Sequence, residues 1–276
     1  MPELPEVETV CRGIEQNIIS KKVESIYTSN KNLRLPFPRD ILDLEGKEIE
    51  SVARRARYIL IKISDQKILL VHLGMSGKLL FYQTLPENFA KHDHFVMGFD
   101  DGSGLVYNDP RRFGLVDLVD EDKINQHQMI KNLGVEPLTD EFDAKHLQKK
   151  LQGKKTNIKT AMMDNAVVVG VGNIYINESL FESKISPLRE SGSLDVKDLE
   201  ILIFNIKSIL QNAIDKGGST LRDYVQLNGN VGAFQFDFKV YGREGDDCVV
   251  CNNSEEKIIR IKQNGRSTFY CQSCQK

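Results

Sequence analysis

The chain has 276 residues, 40% of them hydrophobic and 28% charged, an ordinary globular balance with room for two domains. No stretch approaches the roughly 20 apolar residues of a membrane span. The acidic start Met1-Pro2-Glu3-Leu4-Pro5-Glu6 is not a secretory signal, so a cytoplasmic, reducing setting is expected. A net charge of −2 does not advertise a polyanion partner, yet the basic residues are clustered. Arg54, Arg55, Arg57 and Lys62 form one group, and Lys149, Lys150, Lys154, Lys155 and Lys159 a second. Lys257, Arg260, Lys262 and Arg266 form a third. A single basic run is usually a solvated face, but three together point toward phosphate contact.

Val7, Val10, Cys11, Ile14 and Ile18 recur at helical spacing, which predicts an amphipathic helix from Pro5 to Ile19. Strand-like runs follow at Lys22 to Tyr27, Glu48 to Ala53, Tyr58 to Ile63, Ile68 to His72 and Lys78 to Tyr82. His94 to Phe99, Gly104 to Tyr107 and Phe113 to Val119 continue the series. Many short strands separated by turns such as Asp65-Gln66 imply a β-sandwich or barrel-like domain. Composition shifts at Val135 to Asp140, read here as a linker, and the pattern beyond is helical. The segment Val169-Gly170-Val171-Gly172-Asn173 precedes an apolar run to Phe181. Its glycines permit a tight turn with exposed amides, and Asn173 is placed to cap the next helix. Such a terminus suits a phosphate, or it is a plain interhelical turn. Leu199, Ile203, Ile206 and Leu210 make the stripe of a long helix ending at Lys216-Gly217-Gly218.

The last elements surround four cysteines. Cys248 and Cys251 form one Cys-x-x-Cys knuckle and Cys271 and Cys274 another, nineteen residues apart. Between them lie a strand-like run from Lys257 to Lys262, the hairpin signal Asn264-Gly265 and a returning strand from Arg266 to Tyr270. Two disulfides or a redox pair are the alternatives. In a reducing compartment this spacing favours one structural Zn2+ ion with four thiolate ligands. Cys11 reads as a core thiol.

The start Pro2-Glu3-Leu4-Pro5-Glu6-Val7-Glu8-Thr9 resembles that of the formamidopyrimidine-DNA glycosylase family of bacterial base-excision repair enzymes. His72 to Gly77, Lys91 to His94, Asp109 to Gly114, Met163 to Asn165, Gly170 to Phe181, Val240 to Arg243 and Arg266 to Lys276 look like successive family motifs, in family order over the whole chain. The resemblance implies an α+β fold. It has an N-terminal catalytic β-sandwich domain with an N-terminal helix (1–134), a helical domain with a helix–two-turn–helix DNA-binding motif (135–240) and a zinc-finger β-hairpin (241–276).

It also implies roles. Removal of Met1 would expose the secondary amine of Pro2, which can attack a sugar C1′ and displace a damaged base through an iminium linkage to DNA. Glu3 would be the proton donor, with Glu6 in support one turn away. Met75, Arg111 and Phe113 would fill the space left by the flipped nucleotide and contact the orphaned cytosine. His92, Arg111, Lys155, Asn173 and Arg266 match positions near DNA, and Arg266 would assist the δ-elimination. The family normally has lysine where this chain has Arg57, a proton donor in β-elimination. Arginine keeps the charge and grips phosphate but donates protons poorly. The loop 217–234 would read the extruded base.

The expected activity is that of a bifunctional glycosylase and AP lyase on oxidised purines such as 8-oxoguanine and formamidopyrimidines in double-stranded DNA. The enzyme would work as a monomer, without a membrane. A pyrimidine-preferring relative of the endonuclease VIII type and a non-catalytic damage sensor are the competing readings.

Overall fold

The computed structural model describes residues 1–219, 232–251 and 256–276. These residues form two compact units: Met1–Lys131 with Lys216–Ala233, and Asn132–Asp215 with Phe234–Lys276.

The first unit begins with α1 (Leu4–Ile18), which turns Leu4, Val7, Val10, Cys11, Ile14 and Ile18 inward, as the spacing predicts. Eight strands follow: β1 (Val23–Thr28), β2 (Ile49–Arg55), β3 (Tyr58–Ile63), β4 (Lys67–His72), β5 (Lys78–Tyr82), β6 (Asp93–Phe99), β7 (Gly104–Asn108) and β8 (Leu115–Asp120). They make two antiparallel four-stranded sheets, ordered β1-β6-β7-β5 and β2-β3-β4-β8. Period-two residues such as Ile59, Ile61 and Ile63 join residues of the other sheet and the α1 stripe in one apolar core. This is the expected sandwich with its N-terminal helix.

Two features of the sheets matter for the site. Arg55 pairs with Tyr58, so Ala56 and Arg57 are the whole β2–β3 turn, and Ala56 takes a φ of 54°. Such a turn needs a left-handed residue, and alanine accepts that cost here in place of glycine. The next pair, Tyr58 with His72, brings the end of β4 beside that turn. Phe113 and Gly114, expected to open the last strand, lie outside it. The Gly114 N–H bonds the Asp109 carboxylate instead of a neighbouring strand.

The second unit holds α2 (Ala144–Leu151), α3 (Ile158–Met162), α4 (Asn173–Glu182) and α5 (Val196–Asp215), with a hairpin of β9 (Ile259–Gln263) and β10 (Arg266–Tyr270). The helices share an apolar core that includes Leu147, Ile158, Tyr175, Leu180, Leu202 and Ile206. Asn264 and Gly265 both have positive φ, 46° and 77°, as an Asn-Gly hairpin turn requires. A small separate cluster, Phe181, Val240, Ile258 and Phe269 with Cys248 and Cys271, backs the hairpin. No helix among the described residues is long and apolar enough to cross a membrane.

Candidate active site

Pro2 and Glu3 are buried, with Glu3 only 6% exposed, while Met1 is half exposed. They sit at the mouth of α1, where Pro5 opens the helix without sacrificing a needed N–H. The Glu3 N–H donates to Glu6 Oε2 at 2.8 Å. Glu6 Oε1 accepts from the Ser219 N–H at 2.8 Å and from Ser219 Oγ at 3.0 Å. Glu6 therefore braces the amino terminus from one turn away and ties it to a segment over two hundred residues downstream. Gly218, at φ 80°, passes so close that a Cβ there would lie 3.0 Å from Glu6 Oε1. Most of the 217–234 loop lies outside the described residues.

The Arg57 guanidinium lies 3.9 Å from the Met1 sulfur, on the same side of the unit as the terminus. Next to it the rings of Tyr58 and His72 are 4.8 Å apart. His72 Nδ1 accepts the Gly74 N–H at 3.0 Å, which leaves the imidazole proton on Nε2. Burial first, then the cations Arg57 and Arg34, push the His72 pKa down to about 4. His72 is thus a neutral ring at pH 7, and the charge at this corner belongs to the arginines.

Met75 and Phe113 stand on two adjoining loops and are 39% and 50% exposed, unusual for large apolar groups in a packed unit. The Arg111 guanidinium covers the Phe113 ring at 4.9 Å. The structure thus brings the three predicted wedge residues together. His92, half-buried, precedes β6, and its ring is edge-on to His94 at 6.3 Å.

The second unit gathers the other candidates. Asn173 does not cap α4; Gly172 holds the cap position, since its extended backbone (φ −101°, ψ −167°) leads straight into the helix. Asn173, the first helical residue, instead donates through Nδ2 to the Ser267 carbonyl at 3.0 Å. The buried Lys159 donates to the same carbonyl at 2.9 Å and to Thr268 Oγ1 at 2.6 Å. Arg266 stands exposed at the head of this clamped strand. Lys155 is also exposed, in the segment between α2 and α3.

The Sγ atoms of Cys248, Cys251, Cys271 and Cys274 all lie within 4.8 Å of one another, and the cysteines are free thiols. Three Sγ pairs stand 2.9, 3.5 and 3.6 Å apart, near the edge of about 3.8 Å of a tetrahedron with 2.3 Å metal–sulfur bonds. Four soft sulfur donors closing one tetrahedron fit a structural metal ion with no open position.

Sequence reasoning missed three polar residues that hold this machinery: Asp109, Lys159 and Glu178. Glu178 accepts three successive amides, those of Lys239, Val240 and Tyr241, and so fixes the segment leading to the cysteines. Burial raises its pKa despite those three donors. The signal available was a charged residue inside an apolar run, as with Glu178 between Ile176 and Leu180.

Comparison with known proteins agrees with this arrangement. Residues 1–116 match the model of the formamidopyrimidine-DNA glycosylase N-terminal domain, and residues 133–225 that of its H2TH domain. A formamidopyrimidine-DNA glycosylase of Wolbachia pipientis from Culex pipiens is 46% identical over 278 residues, covering all of both chains. One from Dinoroseobacter shibae is 44% identical, also over all of both. Among solved structures, the wild-type Lactococcus lactis enzyme with N7-benzyl-Fapy-dG-containing DNA superposes with a TM-score of 0.87 at 36% identity, covering 100% of each chain. MutM in complex with carbocyclic 8-oxo-G-containing DNA gives 0.86 at 36%, again covering 100% of each.

Proposed function

The chain belongs to the formamidopyrimidine-DNA glycosylase family, and from that premise we propose that it excises oxidised purines from duplex DNA and then cuts the strand at the abasic site. The observation that carries this reading is the buried Pro2–Glu3 terminus, fixed at the start of α1 and braced by Glu6.

Once Met1 is removed, the Pro2 nitrogen is a secondary amine. It attacks C1′ of the damaged nucleotide, and the C1′–N bond to the base breaks. Glu3 supplies a proton as the sugar ring opens, and an iminium joins Pro2 to the DNA. Loss of the 3′ phosphate by β-elimination and of the 5′ phosphate by δ-elimination follows from that electron sink. Arg266, exposed on β10, is the cation assigned to the phosphates there. Met75, Phe113 and Arg111 enter the duplex where the base leaves, Arg111 facing the opposite base. His92, Lys155 and Asn173 contact the backbone.

The four cysteines hold Zn2+, which fixes the hairpin and takes no part in the chemistry, since protein fills every position.

Sodium borohydride trapping on duplexes with 8-oxoguanine opposite each normal base tests the central step. A covalent adduct that depends on Pro2 supports the reading. Clean binding of lesion DNA without adduct or base release would leave a damage sensor instead. Arg57 bears on the second step alone. It grips phosphate yet hardly deprotonates, so nicking should lag behind base release, and Arg57→Lys should close the gap. Equal ratios of nicking to base release in both proteins would remove any special effect of arginine.

A further inference from the structure

We infer that Asp109, acting with Ser76, is a positioning residue that sets Met75, Arg111 and Phe113 in their inserting arrangement before DNA arrives; this rests on the function proposed above. Asp109 is fully buried. Its Oδ1 accepts from Ser76 Oγ at 2.7 Å and from the Arg111 N–H at 3.3 Å. Its Oδ2 accepts from the Gly114 N–H at 2.9 Å and from the Tyr107 hydroxyl at 3.4 Å. Ser76 adjoins Met75 and Gly114 adjoins Phe113, so one carboxylate holds the Ser76 side chain next to Met75 and the backbone at Arg111 and next to Phe113. The main chain of Asp109 is pinned as well. Its N–H donates to the His92 carbonyl at 3.0 Å, and its carbonyl lies 3.1 Å from Nε2 of the buried His94.

Backbone contact carries the same message independently. A Cβ on Gly74 would meet the Phe113 carbonyl carbon and the Gly114 nitrogen at 2.6 Å, so the two loops touch with no side chain between them. A Cβ on Gly114 would lie 1.6 Å from the Tyr107 hydroxyl. Loops built only to connect strands do not need this.

The chemistry of Asp109 is specific. Among the described residues its four donors are uncharged, with no ion pair that would explain burying it for stability. Each oxygen faces one backbone N–H that cannot rotate away. An asparagine there must set its NH2 against one of them, and only a carboxylate accepts from both while also receiving the Ser76 hydroxyl of the other loop. What the carboxylate provides is order. The loops are fixed before they enter the duplex, so opening the base stack need not also order them.

The test compares two substrates in single-turnover base release. One carries the lesion in a fully paired duplex and the other in an unpaired bubble, where the base is already out of the stack. Ser76→Ala removes one buried hydrogen bond and should slow release from the duplex about tenfold. Asp109→Asn should slow it further, about a hundredfold. Both should lose less than about twofold on the bubble, and a 2-aminopurine beside the lesion should brighten more slowly in step with the duplex defect. Equal losses on both substrates would overturn the inference, because a damaged fold or a direct catalytic role lowers both together. Unchanged release from the duplex by Ser76→Ala would also overturn it. If the unaltered protein releases no base from either substrate, the proposed function itself fails.

Discussion

Lys159→Met tests how the second unit presents Arg266. Lys159 is 1% exposed, and its ammonium donates to the Ser267 carbonyl and Thr268 Oγ1, the two residues after Arg266 on β10. Methionine keeps the apolar stem and removes the charge and these two hydrogen bonds. Each charge-assisted bond contributes about 1.5–3 kcal/mol, but the lost acceptors are not stranded. Ser267 O still receives Asn173 Nδ2 at 3.0 Å, and Thr268 Oγ1 still donates to Gln263 at 2.7 Å. The variant also escapes the desolvation of a buried ammonium. The net cost should be about 2 kcal/mol, at the low end for loss of a buried charged group. Urea unfolding followed by circular dichroism reads this directly; the chain has no tryptophan to report by fluorescence. Strand nicking should fall together with stability, whereas Arg266→Ala, at an exposed position, should lose nicking with stability unchanged. If Lys159→Met loses nicking while keeping full stability, Lys159 acts on the DNA itself and the clamp argument is wrong.

Removing the metal with a chelator, or Cys251→Ser, should abolish DNA binding while the sandwich unit keeps its melting transition; metal analysis and calorimetry check both. Glu178→Gln should destabilise the second unit by about 2 kcal/mol, because an amide cannot accept on both sides as the carboxylate does. Glu178 has a raised pKa in the folded state, chiefly from burial, so its contribution is complete below its ordinary value of 4.5. That contribution declines as pH rises through the folded value, and the stability gap to the glutamine variant should narrow over that range in a pH series of urea melts. Burial drives the Cys11 thiol far above its usual range, so iodoacetamide should modify it only in denaturant; labelling at native pH would contradict its placement.

The sandwich was legible because its physics is periodic. Alternation in β3 and the 3.6-residue stripe of α1 are written in neighbouring residues. The Asn264-Gly265 turn and the cysteine knuckles were legible for the same reason, since each fixes local geometry by residue type. Pro2 and Glu3 were visible only through family resemblance, as composition gives a second residue no meaning. Lys159 was not legible, because its partners lie far along the chain, and Asp109 was not, because nothing in its polar surroundings marks it as buried; for Glu178 the apolar run around it was the one local sign. Asn173 shows the opposite failure. Its residue type suits a cap, but a tertiary partner on β10 claimed its side chain.

The bond between Glu6 and Ser219 spans 213 positions. A ribosome adding about 5–20 residues per second needs roughly 10 to 40 s to travel that far. For most of that interval the amino terminus is already out of the ribosome, yet Glu6 lacks its bond to Ser219. A prematurely terminated chain never acquires it. The amine proposed to attack DNA is the oldest part of the molecule, and this part of its setting is made late. The amino terminus thus gains this bond only once most of the chain exists.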